Sequence, residues 1–419
     1  MKEKKKHSVI IFLLVMGLLT ACSSDDDNKV EEQPKEPEQQ EELRPNPSPY
    51  DVKIDGICYK LVHKSGIARV VSGDVYYAGN VVIPQTIENE GKVYRVEEMA
   101  DSAFCGCKNL TSVLIPNTIT KIGKWMFKDC CQLKSVALPE GLEKLSTRMF
   151  YQCSALDLVI LPESVKTIEQ EAFRGCTSLH SIILPESVEL IDWAAFLGCT
   201  NLETIQLPSS LHQIHMETFA HCTNLRSISF PNGLTTIESN AFAFCTSLTK
   251  LSLPESLIYI ESRAFVGCTG LTSVSLPSSV IKVGDQIFEG CTGLTSVDWS
   301  TITIMPGTFL DCTGLTEFTI PEGVQEIRSD AFTRCENLAV VRIASTVGTF
   351  GPRAFAECEN LVDVYYNRDR LPDYCGDNVF EDTYVSHATL HVPASAIEDY
   401  RATFPWSEFG KIEAIEETF

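Results

Sequence analysis

Positive charge is scarce in this sequence. Lys and Arg number 34 against 56 Asp and Glu in 419 residues, so the formal net charge is −22. Phosphate binding needs clustered basic side chains, and this balance therefore argues against nucleic acid or an anionic membrane face as the main partner. The basic residues cluster only at the extreme N-terminus, between Met1 and His7.

Long hydrophobic runs are also lacking, because the apolar run from Val9 to Leu19 is too short to anchor a chain across a bilayer. A basic start, a short apolar segment and small residues after it predict an export signal over residues 1–21. Its last residues with Cys22, Leu-Thr-Ala-Cys, resemble the bacterial lipobox, in which the cysteine is acylated. We expect Cys22 to be lipidated, and the alternative is an ordinary signal cut nearby with Cys22 incidental.

The segment after Cys22 has almost nothing apolar to bury. Asp25, Asp26 and Asp27 resemble the acidic stretch that directs lipoproteins of the Bacteroidetes to the outer face of the outer membrane, although a plain solvated charge run would look the same. Glu, Gln, Pro and Lys dominate the chain from Asn28 to Tyr50, a composition typical of disorder. We therefore expect residues 22–50 to tether an exported lipoprotein that faces the cell exterior.

Motifs of common enzymes are missing as well. No G-x-S-x-G, H-E-x-x-H or phosphate-cradling glycine loop occurs, and the carboxylates show no evident pairing. His212, His215, Glu217 and His221 are close in sequence but match no recognised metal-ligand spacing, so solvent-exposed histidines are the better interpretation. The sequence predicts no enzyme, no metal site and no cofactor.

The sequence contains instead a repeat of 23 residues. A phenylalanine recurs twelve times, with one step shortened to 21, at Phe104, Phe127, Phe150, Phe173, Phe196, Phe219, Phe242, Phe265, Phe288, Phe309, Phe332 and Phe355. A cysteine follows each of these by three residues and a leucine follows each cysteine by three. A period in the twenties built on L-x-x-L-x-L is typical of leucine-rich repeats.

Each repeat alternates in a way that predicts one short strand. Val274 and Leu276 would face inward between Ser273 and Ser275, and Pro277 would end the strand because proline has no amide hydrogen to donate. Segments such as 262–265 predict an N-cap and one helical turn. We expect a β-rich α/β solenoid, a right-handed coil of about twelve repeats over residues 104–375. Residues 51–103 would form an N-terminal cap with a first irregular coil, and residues 376–419 a C-terminal cap.

The Ala-Phe, Cys, Leu and Leu-Pro elements resemble the BspA-like leucine-rich-repeat family of surface lipoproteins of the Bacteroidetes, over about residues 80 to 375. Val81 to Pro84 and Gly91 to Val96 are similar to the family's first, insertion-bearing coil, and Ala388 to Pro393 are similar to its closing cap. The resemblance implies surface attachment, since better-known members are adhesins that bind host matrix proteins or other bacteria.

Seventeen cysteines in an exported chain raise the question of disulfides. Equivalent residues in stacked coils point the same way, whereas a disulfide needs side chains that face each other. We therefore interpret the twelve repeat cysteines as a ladder of buried thiols, in preference to disulfides or a metal site. Cys105 and Cys131 lie off this ladder.

The outward strand positions are the candidate binding surface. Most are Ser or Thr in the middle of the array, and larger groups stand at His180, Glu203, Gln206, Arg226, Asp298, Glu317, Arg342 and Tyr365. We expect a monomer that binds a protein or glycan on host or neighbouring cells through these residues, although an ordinary solvated sheet face is the alternative for each. A structural envelope lipoprotein and a glycan-capture accessory of nutrient uptake are the other functions considered. The short coil at 289–309 is either a tolerated deletion or a specificity feature.

Overall fold

A computed structural model describes residues 48–301 and 303–416. The predicted signal peptide, the predicted lipidation site Cys22, the acidic stretch and the predicted tether as far as residue 47 lie outside the described residues. Within the described part, no helix is both long enough and apolar enough to cross a membrane.

Antiparallel strands precede the regular coils. Their bounds are β1 Val52–Ile54, β2 Ile57–Val62, β3 Ile67–Val71, β4 Gly79–Val82, β5 Thr86–Asn89 and β6 Lys92–Met99. β1, β2 and β3 pair antiparallel in order, β3 then pairs parallel with β6, and β5 with β6 forms a hairpin. Tyr77 packs against the first repeat ring, Phe104, with ring centroids 4.6 Å apart, and its hydroxyl donates to the carbonyl of Val71 at 2.7 Å. This segment therefore closes the core at its N-terminal end.

Two parallel ladders run along the stack of coils. The front ladder is built from strands at or directly after the repeat leucines, with one strand before the first repeat and two after the last. Its members are β4, β7 Leu110–Leu114, β9 Ser135–Ala137, β11 Leu158–Ile160, β13 Ser181–Ile182, β15 Thr204–Gln206, β17 Ser227–Ser229, β20 Ser273–Ser275, β22 Ser296–Asp298, β24 Glu317–Ile320, β26 Val340–Ile343, β28 Asp363–Tyr366, β30 Thr389–Val392 and β31 Lys411–Ala414. Lys250 joins it through a single bridge to Ser273. The predicted solenoid is confirmed, with about 14 turns and little helix.

The back ladder consists of two-residue strands, nine of which follow a repeat proline. They are β8 Lys121–Ile122, β10 Lys144–Leu145, β12 Thr167–Ile168, β14 Leu190–Ile191, β16 Gln213–Ile214, β18 Thr236–Ile237, β19 Tyr259–Ile260, β21 Lys282–Val283, β23 Thr303–Ile304, β25 Glu326–Ile327, β27 Thr349–Phe350 and β29 Tyr374–Cys375. In each pair one residue faces the core, as Ile237 and Ile260 do in register.

The third side of each coil, here called the turn side, contains consecutive turns, so the predicted helical turn is wrong. Residues two before and two after each repeat phenylalanine have positive φ, for example Arg263 at 59° and Gly267 at 68°. Alternate amides therefore point out of the coil, and Phe265 N–H donates to the carbonyl of Ile287 at 3.0 Å. An α-helix would use those amides within itself and leave the coils unjoined on this side. The structure forms consecutive turns that join the coils by backbone hydrogen bonds.

The repeat phenylalanines form one continuous stack through the core. Successive ring centroids lie 5.0 to 6.0 Å apart. The shortened coil has the widest step, 6.0 Å between Phe288 and Phe309, and there Trp299 occupies the position of the strand-end leucine. Because successive rings stack on one another, each coil is stabilised mainly by the coils beside it, and stability is approximately a sum over neighbouring coils.

The C-terminal cap contains the only α-helix of the described residues, α1 Ile397–Ala402, with 3-10 turns at Val385–His387, Ala394–Ala396 and Trp406–Glu408. Phe380 extends the phenylalanine stack, 5.9 Å from Phe355. Trp406 packs edge-on against Phe380 and Tyr400, with centroids 5.6 and 5.5 Å away. These large rings cover the apolar end that a further coil would otherwise bury.

Candidate binding surface

The front ladder presents two rows of outward side chains, because alternate residues of each strand face opposite ways. In β15, Thr204 and Gln206 are exposed while Ile205 between them is buried. Their partners in β17 are Ser227 and Ser229, so equivalent positions line up from coil to coil. A third row is formed by the residue directly after each repeat leucine. We call these three rows the front face.

The first group of predicted contacts lies in two of these rows. His180, Glu203 and Arg226 each follow a repeat leucine in three successive coils. The backbone N–H of Glu203 donates to the carbonyl of His180, and that of Arg226 donates to the carbonyl of Glu203, so the three residues lie side by side. His180 Nδ1 lies 3.1 Å from Asp157, and Arg226 lies 3.9 Å from Glu203. Gln206 stands in a neighbouring row. These pairs are largely solvent-exposed, and such pairs contribute little to stability.

The middle of the front face carries small hydroxyl groups. Thr249, Ser252, Thr272 and Ser275 are exposed and offer no charge and little contact area. Asp298 stands where this hydroxyl stretch ends, and its carboxylate accepts a hydrogen bond from Ser275 at 2.9 Å. The middle coils therefore separate two groups of larger side chains.

The second group of predicted residues comes together on the last coils. Arg342 donates to Glu317 at 3.1 Å, and its guanidinium lies 5.6 Å from the centre of the Tyr365 ring. His391 stacks on the other side of Tyr365, with ring centroids 4.2 Å apart and planes within 7°. His391 Nε2 lies 2.8 Å from Asp363. We call Glu317, Arg342, Asp363, Tyr365 and His391 the terminal cluster.

Sequence reasoning missed part of this surface. Asp363 and His391 belong to the terminal cluster, and Lys411 and Glu413 continue its two rows on the last strand, β31. The fixed spacing of 23 residues stops at Phe355, so these later positions could not be found by counting. The alternation of inward and outward residues in Thr389 to Val392 is nevertheless the same as in the repeats. A cavity of about 1020 Å³ extends from Arg342, Tyr365 and His391 to this strand.

The front face is apolar at its N-terminal end. Val82, Leu114 and Ile183 occupy one row, and the side chains of Val82 and Ile183 are 62% and 82% exposed. Leu158 is exposed in the next row. Along the stack, the front face thus changes from aliphatic to the charged group at His180, Glu203 and Arg226, then to hydroxyl groups, and finally to the charged and aromatic terminal cluster.

The repeat cysteines lie in the core, as predicted for a thiol ladder. Each thiol from Cys130 to Cys358 donates to the carbonyl of the phenylalanine one coil earlier, at 3.0 to 3.3 Å. Burial raises the pKa of the Cys199 and Cys268 thiols to about 12. Metal binding and nucleophilic attack need thiolates, so these protonated groups serve the packing of the coils.

The histidines near residue 215 have separate partners. His212 Nδ1 lies 3.0 Å from the carbonyl of Gly233, and His215 Nδ1 lies 3.1 Å from Glu238. Glu217 and His221 belong to the turn side. Over residues 48–301 and 303–416, no group of three or more His, Cys, Asp or Glu is arranged to hold a metal ion.

Comparison with known proteins decides the family. A model of the BspA type leucine rich repeat region matches residues 97–226, 191–302 and 295–404 in six copies. The chain belongs to this family. The predicted BspA-like resemblance is confirmed, and with it comes the general role of a protein-interaction or surface module. A scaffold of this type is typically non-enzymatic.

Solved structures of bacterial leucine-rich repeat proteins are similar to this BspA-type chain. A leucine-rich repeat protein from Bacteroides ovatus is 28% identical, with a TM-score of 0.71 over 88% of this chain and 100% of that one. A leucine rich cell surface protein from Faecalibacterium prausnitzii is 25% identical, with a TM-score of 0.47 over 76% of this chain and 95% of that one. A search of curated proteins finds no significant match.

Proposed function

We propose that this BspA-type chain is a non-catalytic surface module that binds a protein or glycan on host or neighbouring cells through the front face of its last coils. The observation that carries the proposal is the terminal cluster, in which Arg342, Tyr365 and His391 stack in one row. Arginine and aromatic side chains are the groups most often responsible for binding energy at interfaces.

The terminal cluster is held in place before any ligand arrives. Tyr365 is packed between Arg342 and His391, and these two are fixed in turn by Glu317 and Asp363. Side chains that are already ordered lose little conformational entropy on binding. The middle of the front face lacks comparable groups, so we place the ligand at the C-terminal coils.

The same proposal assigns the N-terminus to anchoring. A lipid on Cys22 and a tether over residues 22–50 would display the solenoid on the outer membrane, facing the cell exterior. What supports this is the basic start, the apolar run and the lipobox-like Leu-Thr-Ala-Cys ending.

An array of surface proteins and glycans, probed with the solenoid, tests the binding role. We expect a specific ligand whose binding is lost when Arg342 and Tyr365 are both changed to alanine. The matched control changes Ser252 and Ser275 to alanine on the middle coils and should bind like the native chain. Absence of any ligand, with loss of envelope integrity when the gene is deleted, would favour the structural envelope role instead. Transporter and glycosidase genes next to the gene of this protein would favour the role of a glycan-capture accessory in nutrient uptake.

A further inference from the structure

The turn side carries a second surface, distinct from the front face. Its outermost row consists of the residue two after each repeat phenylalanine, and all twelve have positive φ. Glycine, which adopts this conformation without strain, occupies five of them, at Gly106, Gly175, Gly198, Gly267 and Gly290. Two adjacent members of the row are aromatic, His221 and Phe244.

The aromatic pair is exposed and stacked. The rings of His221 and Phe244 lie 4.8 Å apart with planes within 16°, and Phe244 is 43% exposed. Phe244 has a φ of 59°, a conformation that is strained for a bulky side chain.

A slot opens beside the His221 ring. Side chains of this row lean over the next coil. The Phe244 ring lies over Gly267, where an added methyl group would be 2.5 Å from it, and the Gln152 amide lies over Gly175, where an added methyl group would also be 2.5 Å away. Gly175 and Gly198 have no side chains to lean, so the two rungs between Gln152 and His221 are empty. Coils are stacked about 4.8 Å apart, so the two missing side chains widen the distance between the Gln152 amide and the His221 ring by about 10 Å. The cavity there has a volume of about 550 Å³.

The polar groups of the slot do not suit an anionic ligand. Glu217 and Asn240 line it, with the Gln152 amide at the far end. Within the described part of the chain, these three side chains form no hydrogen bond or ion pair. Arg174 also lines the slot, but its guanidinium is paired with Glu171 at 2.5 Å. The slot therefore offers acceptors and amide donors without an uncompensated positive charge.

We propose that this slot binds a neutral saccharide, with one pyranose ring stacked on the free face of His221. The C–H face of a sugar ring packs on an aromatic face, while its hydroxyls meet the carboxylate and amides at the edge. An aromatic peptide side chain would fill the stack but leave Gln152, Glu217 and Asn240 without partners. The site is independent of the front-face ligand.

An array of neutral and acidic oligosaccharides, probed with the full chain and followed by calorimetric titration of any ligand found, tests the inference. We expect neutral oligosaccharides to bind, and His221→Gly and Phe244→Gly each to weaken binding by about tenfold or more. Both variants install the residue that five other coils carry, so circular dichroism should show them folded. Gly198→Asn should also abolish binding by filling the slot, since asparagine tolerates positive φ.

Ser252→Ala is the control, because Ser252 lies on the middle coils of the front face, away from both candidate sites, and this change should leave saccharide binding unchanged. The inference is overturned if no neutral saccharide binds, if only acidic saccharides or aromatic peptides bind, or if the glycine variants bind as well as the native chain. A front-face ligand that is lost in Arg342→Ala and retained in Phe244→Gly would support the proposed function whatever the outcome at the slot.

Discussion

Raising the pH should unfold the solenoid steeply, because its thiol ladder must stay protonated. Burial raises the pKa of every repeat thiol from Cys130 to Cys358, to about 12 at Cys199, Cys268 and Cys358. An unfolded thiol releases its proton near its ordinary pKa of 9.0, while the folded one retains it. Stability is therefore complete below about pH 9 and falls as the pH rises from there towards 12.

The magnitude follows from the number of thiols. At about pH 10, a thiol whose pKa is about 9 when unfolded and about 12 when folded has lost roughly 1.4 kcal/mol of stabilisation. The three thiols whose pKa is raised to about 12 would together lose about 4 kcal/mol, and the other repeat thiols, whose pKa is also raised by burial, add to this loss.

Urea unfolding followed by circular dichroism, under reducing conditions at a series of pH values, measures this loss. Replacing Cys199 and Cys222 by alanine should flatten the dependence by about two protons. An unchanged urea midpoint at about pH 10 would refute the reasoning. So would a rise in thiolate absorbance while the protein stays folded, measured in a chain that lacks the partly exposed Cys105, Cys131 and Cys375.

Three further predictions concern packing, reactivity and anchoring. Phe219→Ala removes a ring stacked between Phe196 and Phe242 and should lower the free energy of unfolding by about 3–5 kcal/mol, measured in urea; a loss below about 1 kcal/mol would contradict the stack. In the native chain a thiol reagent should modify Cys105 and Cys131 first and the ladder only on unfolding, so uniform rates would oppose the ladder's burial. Cys22→Ala should move the protein from the membrane to the soluble fraction, and unchanged retention would rule out lipid anchoring there.

The repeat could be recognised from sequence because each coil repeats one pattern of buried residues. Phe, Cys and Leu at fixed spacing specify a core that only stacking can bury, and twelve equivalent positions make the pattern unambiguous. Tyr77 and Phe380, which end the ring stack on its two sides, could not be recognised from sequence, because insertions shift them out of the 23-residue register. Their burial depends on where each cap folds back onto the stack, and the spacing of residues in the sequence does not indicate that position.

The turn side was mispredicted because an N-capping Ser before Arg263-Ala264-Phe265 is equally compatible with a helical turn. The left-handed residues that prevent a helix are mostly not glycine, so the usual signal for positive φ is missing. Partners one coil away decide the conformation, as the Phe265 amide shows.

The candidate site was predicted in part. Glu317, Arg342 and Tyr365 were identified by size and charge, and the structure brings them together, whereas His180, Glu203, Gln206 and Arg226 lie apart on earlier coils. His391 follows its partner by 26 residues and became visible only through strand pairing. Ligand contact at all of these residues stays a prediction.

The most direct test compares binding by the native chain, the Arg342→Ala, Tyr365→Ala double variant and the Ser252→Ala, Ser275→Ala control on one array of host and bacterial surface proteins and glycans. The proposed function predicts at least one ligand that binds the native chain and the control and is lost in the terminal-cluster variant. A ligand that binds all three chains equally, or no ligand at all, would contradict it.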